Sequence, residues 1–118
     1  MKTVFFGLLM LISSFSFGQI LTNNTSCDIY IRGSLSGCVT PFGPICVAPG
    51  ASTGVAGVEA LTIHYQCSPE CGLGLSVGKP GNCAGYFPGT TINTGSCCAT
   101  STLSATYTAA TGDWDITP

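Results

Sequence analysis

"CDIYIRGSL", Cys27 to Leu35, is the stretch whose reading decides the fold. Successive side chains of a strand point to opposite faces, so Cys27, Ile29, Ile31 and Leu35 share one side while Asp28, Arg32 and Ser34 share the other, with Tyr30 in the polar set. An apolar stripe of period two is the mark of a half-buried antiparallel strand. The same phase recurs in "EALTIHYQC", where Leu61, Ile63, Tyr65 and Cys67 oppose Thr62, His64 and Gln66, and in "CGLGLSV", with Cys71, Leu73, Leu75 and Val77 on one face. Between these two runs, "CSPECG" reads as a tight hairpin flanked by Cys67 and Cys71.

Farther along, "CCATSTLSATYT" sets Leu103, Ala105 and Tyr107 against a row of hydroxyls at Thr100, Thr102, Ser104, Thr106 and Thr108. "TGDWDITP" supplies a closing strand with Trp114 and Ile116 inward and Asp113 and Asp115 outward. No segment carries a helical stripe. Residues 39–44 and 78–96, rich in Gly, Pro, Asn and Thr, read as loops, the second long enough to attract attention. The fold class expected is all-β, a small antiparallel β-sandwich or open barrel. Cysteine spacings of 11, 8, 21, 4, 12, 14 and 1 show no repeating unit, which argues against a solenoid.

Upstream of this domain, "MKTVFFGLLMLISSFSFGQ" has one early charge at Lys2, an apolar run from Val4 to Ile12 and small residues at Ser16 and Gly18. That is the form of a secretory signal peptide over residues 1–18, similar to the leaders of many Gram-negative bacteria, with cleavage after Gly18 and a single domain from residue 19 to 118. The apolar run is too short for a transmembrane helix. A chain exported this way meets an oxidising compartment, whether extracellular, periplasmic or at the cell surface. There the eight cysteines, Cys27, Cys38, Cys46, Cys67, Cys71, Cys83, Cys97 and Cys98, suit up to four disulfides. Eight cysteines allow 105 pairings, and spacing alone does not choose among them. Adjacent Cys97 and Cys98 point apart in an extended backbone, so they are expected to staple two different neighbours, and Cys83 is expected to tie down the long loop.

After the leader, Arg32 and Lys79 are the only bases against five acids. A domain with so few cations has no electrostatic footprint for nucleic acid or anionic membrane. Two G-x-S-x-G stretches surround Ser52 and Ser76, but that pattern acts as a nucleophile elbow only on a strand-to-helix turn of a large α/β sheet with an acid and a histidine downstream. His64 with Cys67, Cys71 and Cys83 offers a zinc-like ligand set, set against a solvent-facing histidine and paired thiols. Asp113 and Asp115 beside Trp114 admit a calcium-assisted sugar site, against an inward Trp114 and two solvated acids. Asn23-Asn24-Thr25-Ser26 holds two overlapping glycosylation sequons that matter only in a host with an endoplasmic reticulum.

The hydroxyl row has its own reading. In T-x-T texture, low charge and cysteine content the segment Thr100 to Thr108 resembles ice-binding proteins, which present regularly spaced threonines on a flat face. The resemblance implies contact with ice or a polysaccharide surface. Threonine's preference for strands predicts the same pattern on a merely solvated face. The sequence therefore points to a secreted binding or structural module without enzymatic activity or cofactor. Its partner is a protein or glycan at the cell surface, met through Tyr86 and Phe87 of the long loop and the hydroxyl strand. A secreted toxin or inhibitor and a small hydrolase using His64 are the competing readings.

Overall fold

The computed structural model describes residues 19–118, and the leader read at residues 1–18 lies outside them. Nine strands follow in order: β1 (Ile20–Asn23), β2 (Ile29–Leu35), β3 (Pro41–Val47), β4 (Ser52–Gly54), β5 (Val58–Tyr65), β6 (Cys71–Gly78), β7 (Gly89–Asn93), β8 (Thr102–Thr108) and β9 (Asp113–Thr117). They form a five-stranded sheet, β4-β1-β9-β8-β7, packed on a four-stranded sheet, β3-β2-β5-β6. All neighbours are antiparallel except β1 and β9, which run side by side in the same direction. The protein is a disulfide-stapled β-sandwich.

Period-two patterning explains the sandwich. Leu21, Leu103, Ala105, Trp114 and Ile116 project from the larger sheet into one core with Ile29, Ile31, Leu61, Ile63, Tyr65, Leu75 and Val77 of the smaller. Each fully buried aliphatic side chain contributes about 1.5–3 kcal/mol relative to exposure. Trp114 is inward, as its phase requires, and its ring lies 4.7 Å from that of Tyr107. The Tyr65 hydroxyl crosses the sandwich to donate to the Thr102 carbonyl at 2.8 Å, which satisfies the one polar atom of a buried ring. Asn23 is buried as well. Its amide donates to the carbonyls of Cys27 (2.8 Å) and Val47 (2.9 Å), and its Oδ1 accepts from the Thr25 hydroxyl and amide, so the first sequon asparagine is an internal strut.

Four disulfides join Cys27 to Cys98, Cys38 to Cys83, Cys46 to Cys67 and Cys71 to Cys97. Cys97 and Cys98 do take different neighbours. Through them the segment before β8 is fastened both to Cys71 at the start of β6 and to Cys27 in the connection from β1 to β2. No cysteine is free among the described residues, and the imagined zinc set loses its thiolates to these pairs.

The structure corrects the sequence reading in several places. Residues 39–44 are not all loop, because β3 begins at Pro41; an edge strand tolerates proline, whose missing N–H faces away from the ladder. The 78–96 segment contains β7, so its irregular part is shorter than expected. β8 begins at Thr102, and Thr100 sits in a bend before it. Leu73 is 72% exposed rather than inward, because the β5–β6 register shifts by two residues between Ile63 and Tyr65, and Leu73 stands in the resulting bulge while Cys71 and Leu75 keep to the core side. Gly72 makes that slip possible: its φ is +69°, and a Cβ there would lie 2.8 Å from the Thr94 carbonyl oxygen.

Candidate functional site

On the outer face of the four-stranded sheet lies a groove of about 460 Å³, lined by Arg32, Ser34, Phe42, Pro44, Thr62 and Tyr86 among others. Its floor follows from parity: Arg32, Ser34 and Thr62 are the alternate residues to Ile31, Gly33 and Ile63, and the register sets Arg32 opposite Thr62 and Ser34 opposite Ala60. One wall comes from β3. A register shift between Ile31 and Gly33 lets Phe42 pair with Gly33 and pack partly against the core, leaving Gly43 and Pro44 as a rim.

The opposite wall is the segment after β6, and Asn82 organises it. Its amide donates to the carbonyls of Lys79 (2.9 Å) and Tyr86 (2.6 Å), while its Oδ1 accepts from the backbone N–H groups of Ala84 (3.0 Å) and Tyr86 (3.1 Å). An asparagine that saturates four backbone groups makes a loop of this length a defined object. Cys38–Cys83 pins it to the turn between β2 and β3, and Glu59 accepts from the Cys83 N–H at 3.2 Å. The loop thus holds Tyr86, 38% exposed, at the groove, and leaves Phe87 exposed where the chain crosses toward β7. Arg32 reaches Glu70 only at 3.9 Å, with both side chains substantially exposed. Such a pair contributes about 0–1 kcal/mol, so the guanidinium stays available to a ligand.

His64 adjoins this surface on the same outer face, yet it is buried rather than solvent-facing. The reason is its neighbour on β6. Gly74 has no side chain, and a Cβ there would fall 2.5 Å from His64 Cε1, so the imidazole lies down over the glycine. Burial pushes its pKa below the ordinary histidine value; the Glu70 carboxylate acts in the opposite direction, and Arg32 adds to the lowering. Its Nδ1 has no hydrogen-bond partner. Ser52 and Ser76 both lie within strands, β4 and β6, not on strand-to-helix turns.

The hydroxyl row occupies the other outer face. Thr102, Ser104, Thr106 and Thr108 project from β8 opposite Leu103 and Ala105. What the sequence offered as a single strand is widened by its neighbours. Thr91, Ser104 and Thr117 are in register across β7, β8 and β9, while Thr106, Asp115, Thr22 and Ser52 are in register across β8, β9, β1 and β4. Hydroxyls meet between strands at 2.7 Å (Thr91 and Ser104) and 2.9 Å (Thr22 and Ser52). The structure therefore does not bring the two expected contact surfaces together: Tyr86 belongs to one sheet's outer side and the hydroxyls to the other's.

No family model, curated protein or solved structure matches the chain. Arg32, Ser34, Phe42, Thr62 and Asn82 were not singled out as site residues from sequence. Asn82 alone carried a local signal, as an asparagine between Gly81 and Cys83. Among the described residues, no helix is long and apolar enough to cross a membrane.

Proposed function

We propose that this protein is exported behind its leader and acts outside the cytoplasm as a non-enzymatic binding module that takes a glycan into the groove under the Cys83 loop. The observation that carries the reading is the convergence of an exposed tyrosine ring, a loosely paired arginine and two short hydroxyls on one rigid concavity. A sugar ring presents an apolar C–H face that stacks on an aromatic side chain, and a rim of hydroxyls that pairs with guanidinium and hydroxyl groups. Small-ligand sites have this composition, mostly apolar with a few fixed polar groups. The disulfide and the Asn82 network order the loop in advance, which lowers the entropic cost of binding.

The test is titration of the purified protein with a panel of soluble oligosaccharides, followed by amide chemical shifts. A saturable ligand should shift residues of the groove, and Tyr86→Ala and Arg32→Gln should each weaken it about tenfold or more, equivalent to about 1.4 kcal/mol. Saturable binding that neither variant changes would place the contact elsewhere.

A second reading rests on the hydroxyl rows. Strands lie about 4.8 Å apart, and alternate residues about 7 Å apart along them, so the five-stranded face is a two-dimensional lattice of short polar groups. Such a lattice suits a repetitive partner, ice or the surface of an insoluble polysaccharide. Retention on either should be abolished in the Thr102→Tyr, Thr106→Tyr double variant. Undiminished retention removes this face from the site.

A further inference from the structure

The first described residue is held in a manner its exposure does not require. The Gln19 backbone nitrogen donates to Asp113 Oδ1 at 2.7 Å, and the next amide, that of Ile20, donates to the same oxygen at 3.0 Å. Its carbonyl accepts from Val55 N–H at 2.9 Å, and its side-chain Oε1 accepts from Gly57 N–H at 3.2 Å. Its Cγ lies over Gly112, where a Cβ would come within 2.7 Å. Two segments, the β4–β5 connection at Val55 and Gly57 and the β8–β9 turn at Gly112 and Asp113, thus converge on one glutamine at the head of β1.

Two details suit a chain that begins at this residue. Gln19 has φ of +76°, a left-handed value rarely adopted by a side-chain-bearing residue, because the preceding carbonyl crowds its Cβ. Its nitrogen meets a carboxylate, an acceptor that serves an amide and would hold an ammonium as well. Hydrolysis of the bond before Gln19 relieves the positive-φ crowding and turns the amide into an ammonium, a full charge for Asp113 to pair with.

We propose that Gln19 is the mature amino terminus, and that its α-ammonium is seated on Asp113 as a structural part of the five-stranded sheet. The proposal rests on the leader reading of residues 1–18. In the processing step water adds across the Gly18–Gln19 peptide bond; Gly18 leaves with the carboxylate and Gln19 keeps the nitrogen, which takes up a proton. Asp113 is prepared for the role, its carboxyl held below the usual aspartate range first by the Ile20 N–H and then by the Thr111 hydroxyl and the Gln19 nitrogen. A second consequence concerns modification. An amino-terminal glutamine can close to a lactam when its free amine attacks the side-chain carbonyl carbon and expels ammonia. In this seat the amine is protonated and paired, and the carboxamide oxygen is occupied by Gly57, so the folded protein keeps an open Gln19.

The experiment compares two purified forms, one starting at Gln19 after traceless removal of a fusion partner and one retaining Gly18 and a short neutral extension, each with and without Asp113→Asn. The Gln19 form should melt about 2–5 °C higher than the extended form, and the difference should vanish in the Asp113→Asn pair. Equal melting of the two wild-type forms, or a difference that survives Asp113→Asn, overturns the seat. Mass spectrometry of the protein exported by its own leader should show a chain beginning at Gln19 without loss of ammonia. Leader residues retained in the exported protein overturn the processing step and with it the leader reading. A start at Gln19 already closed to the lactam overturns the ammonium seat while leaving the leader reading intact.

Discussion

The two outer faces of the sandwich share a strand grammar and differ in what stands above it. On the four-stranded sheet the outward residues are mixed, with Tyr30, Arg32, Thr62 and His64 among them, and a pinned loop rises over the floor to make a groove. On the five-stranded sheet they are mostly short and hydroxylated, with Asp115 among them, and they align in one row from β7 to β9 and another from β8 to β4. A groove discriminates a discrete ligand through a few convergent groups, whereas a flat row can only match a partner that itself repeats. The same alternation can therefore furnish two kinds of surface, and the loop makes the difference.

The strongest way to break the contrast is to release the loop. Cys38–Cys83 spans 45 residues, and a cross-link over a loop of that size is worth about 4 kcal/mol through the unfolded chain. The Cys38→Ser, Cys83→Ser double variant should lose about that much in denaturant unfolding, lose glycan binding in the groove and keep the hydroxyl face unchanged by amide shifts. Next comes Gly74→Ala, which sets a methyl against the His64 ring. It should cost about 1–3 kcal/mol by the same measurement, and His64→Ala in the same chain should recover part of it.

Acid sharpens the comparison further, because the buried histidine sits on one face only. His64 has its folded pKa lowered from 6.5, so the unfolded chain binds the proton first. Stability is therefore full above pH 6.5 and falls as the pH drops below it toward the folded value. In His64→Gln the slope below pH 6.5 should flatten. Asp113 shifts in the same direction and acts lower, its contribution present above pH 3.8 and lost as acid carries the pH through its folded pKa. The smallest effect belongs to the flat face: Thr108→Val, exposed at the end of β8, should change unfolding stability by less than about 0.5 kcal/mol.

Alternation was strong enough to reveal β2, β5, β6, β8 and β9, whose inward sets, Leu73 apart, lie in or against the core. It could not reveal β1 and β4, which are only four and three residues long, too brief for a period to register. β3 and β7 were masked by their Pro, Gly and Thr content, since both are edge strands that need bury little. At the site, Tyr86 and Phe87 were legible as aromatics in a loop. Arg32 and Thr62 were not, because their meeting depends on which strands become neighbours, and that depends on pairings that spacing leaves open. Leu73 shows the limit in miniature: a bulge that includes Gly72 at positive φ lifts out a side chain the pattern placed inside.

The parallel contact of β1 with β9 has a consequence for how the chain comes together. Synthesis delivers every polypeptide amino end first, so Leu21 and Thr22 wait with one flank unmet until Trp114 and Asp115, their partners, emerge almost a hundred residues later. The larger sheet is thus sealed by the last of its five strands to arrive, and a chain stopped short of Asp113 would strand its first strand beside an empty slot.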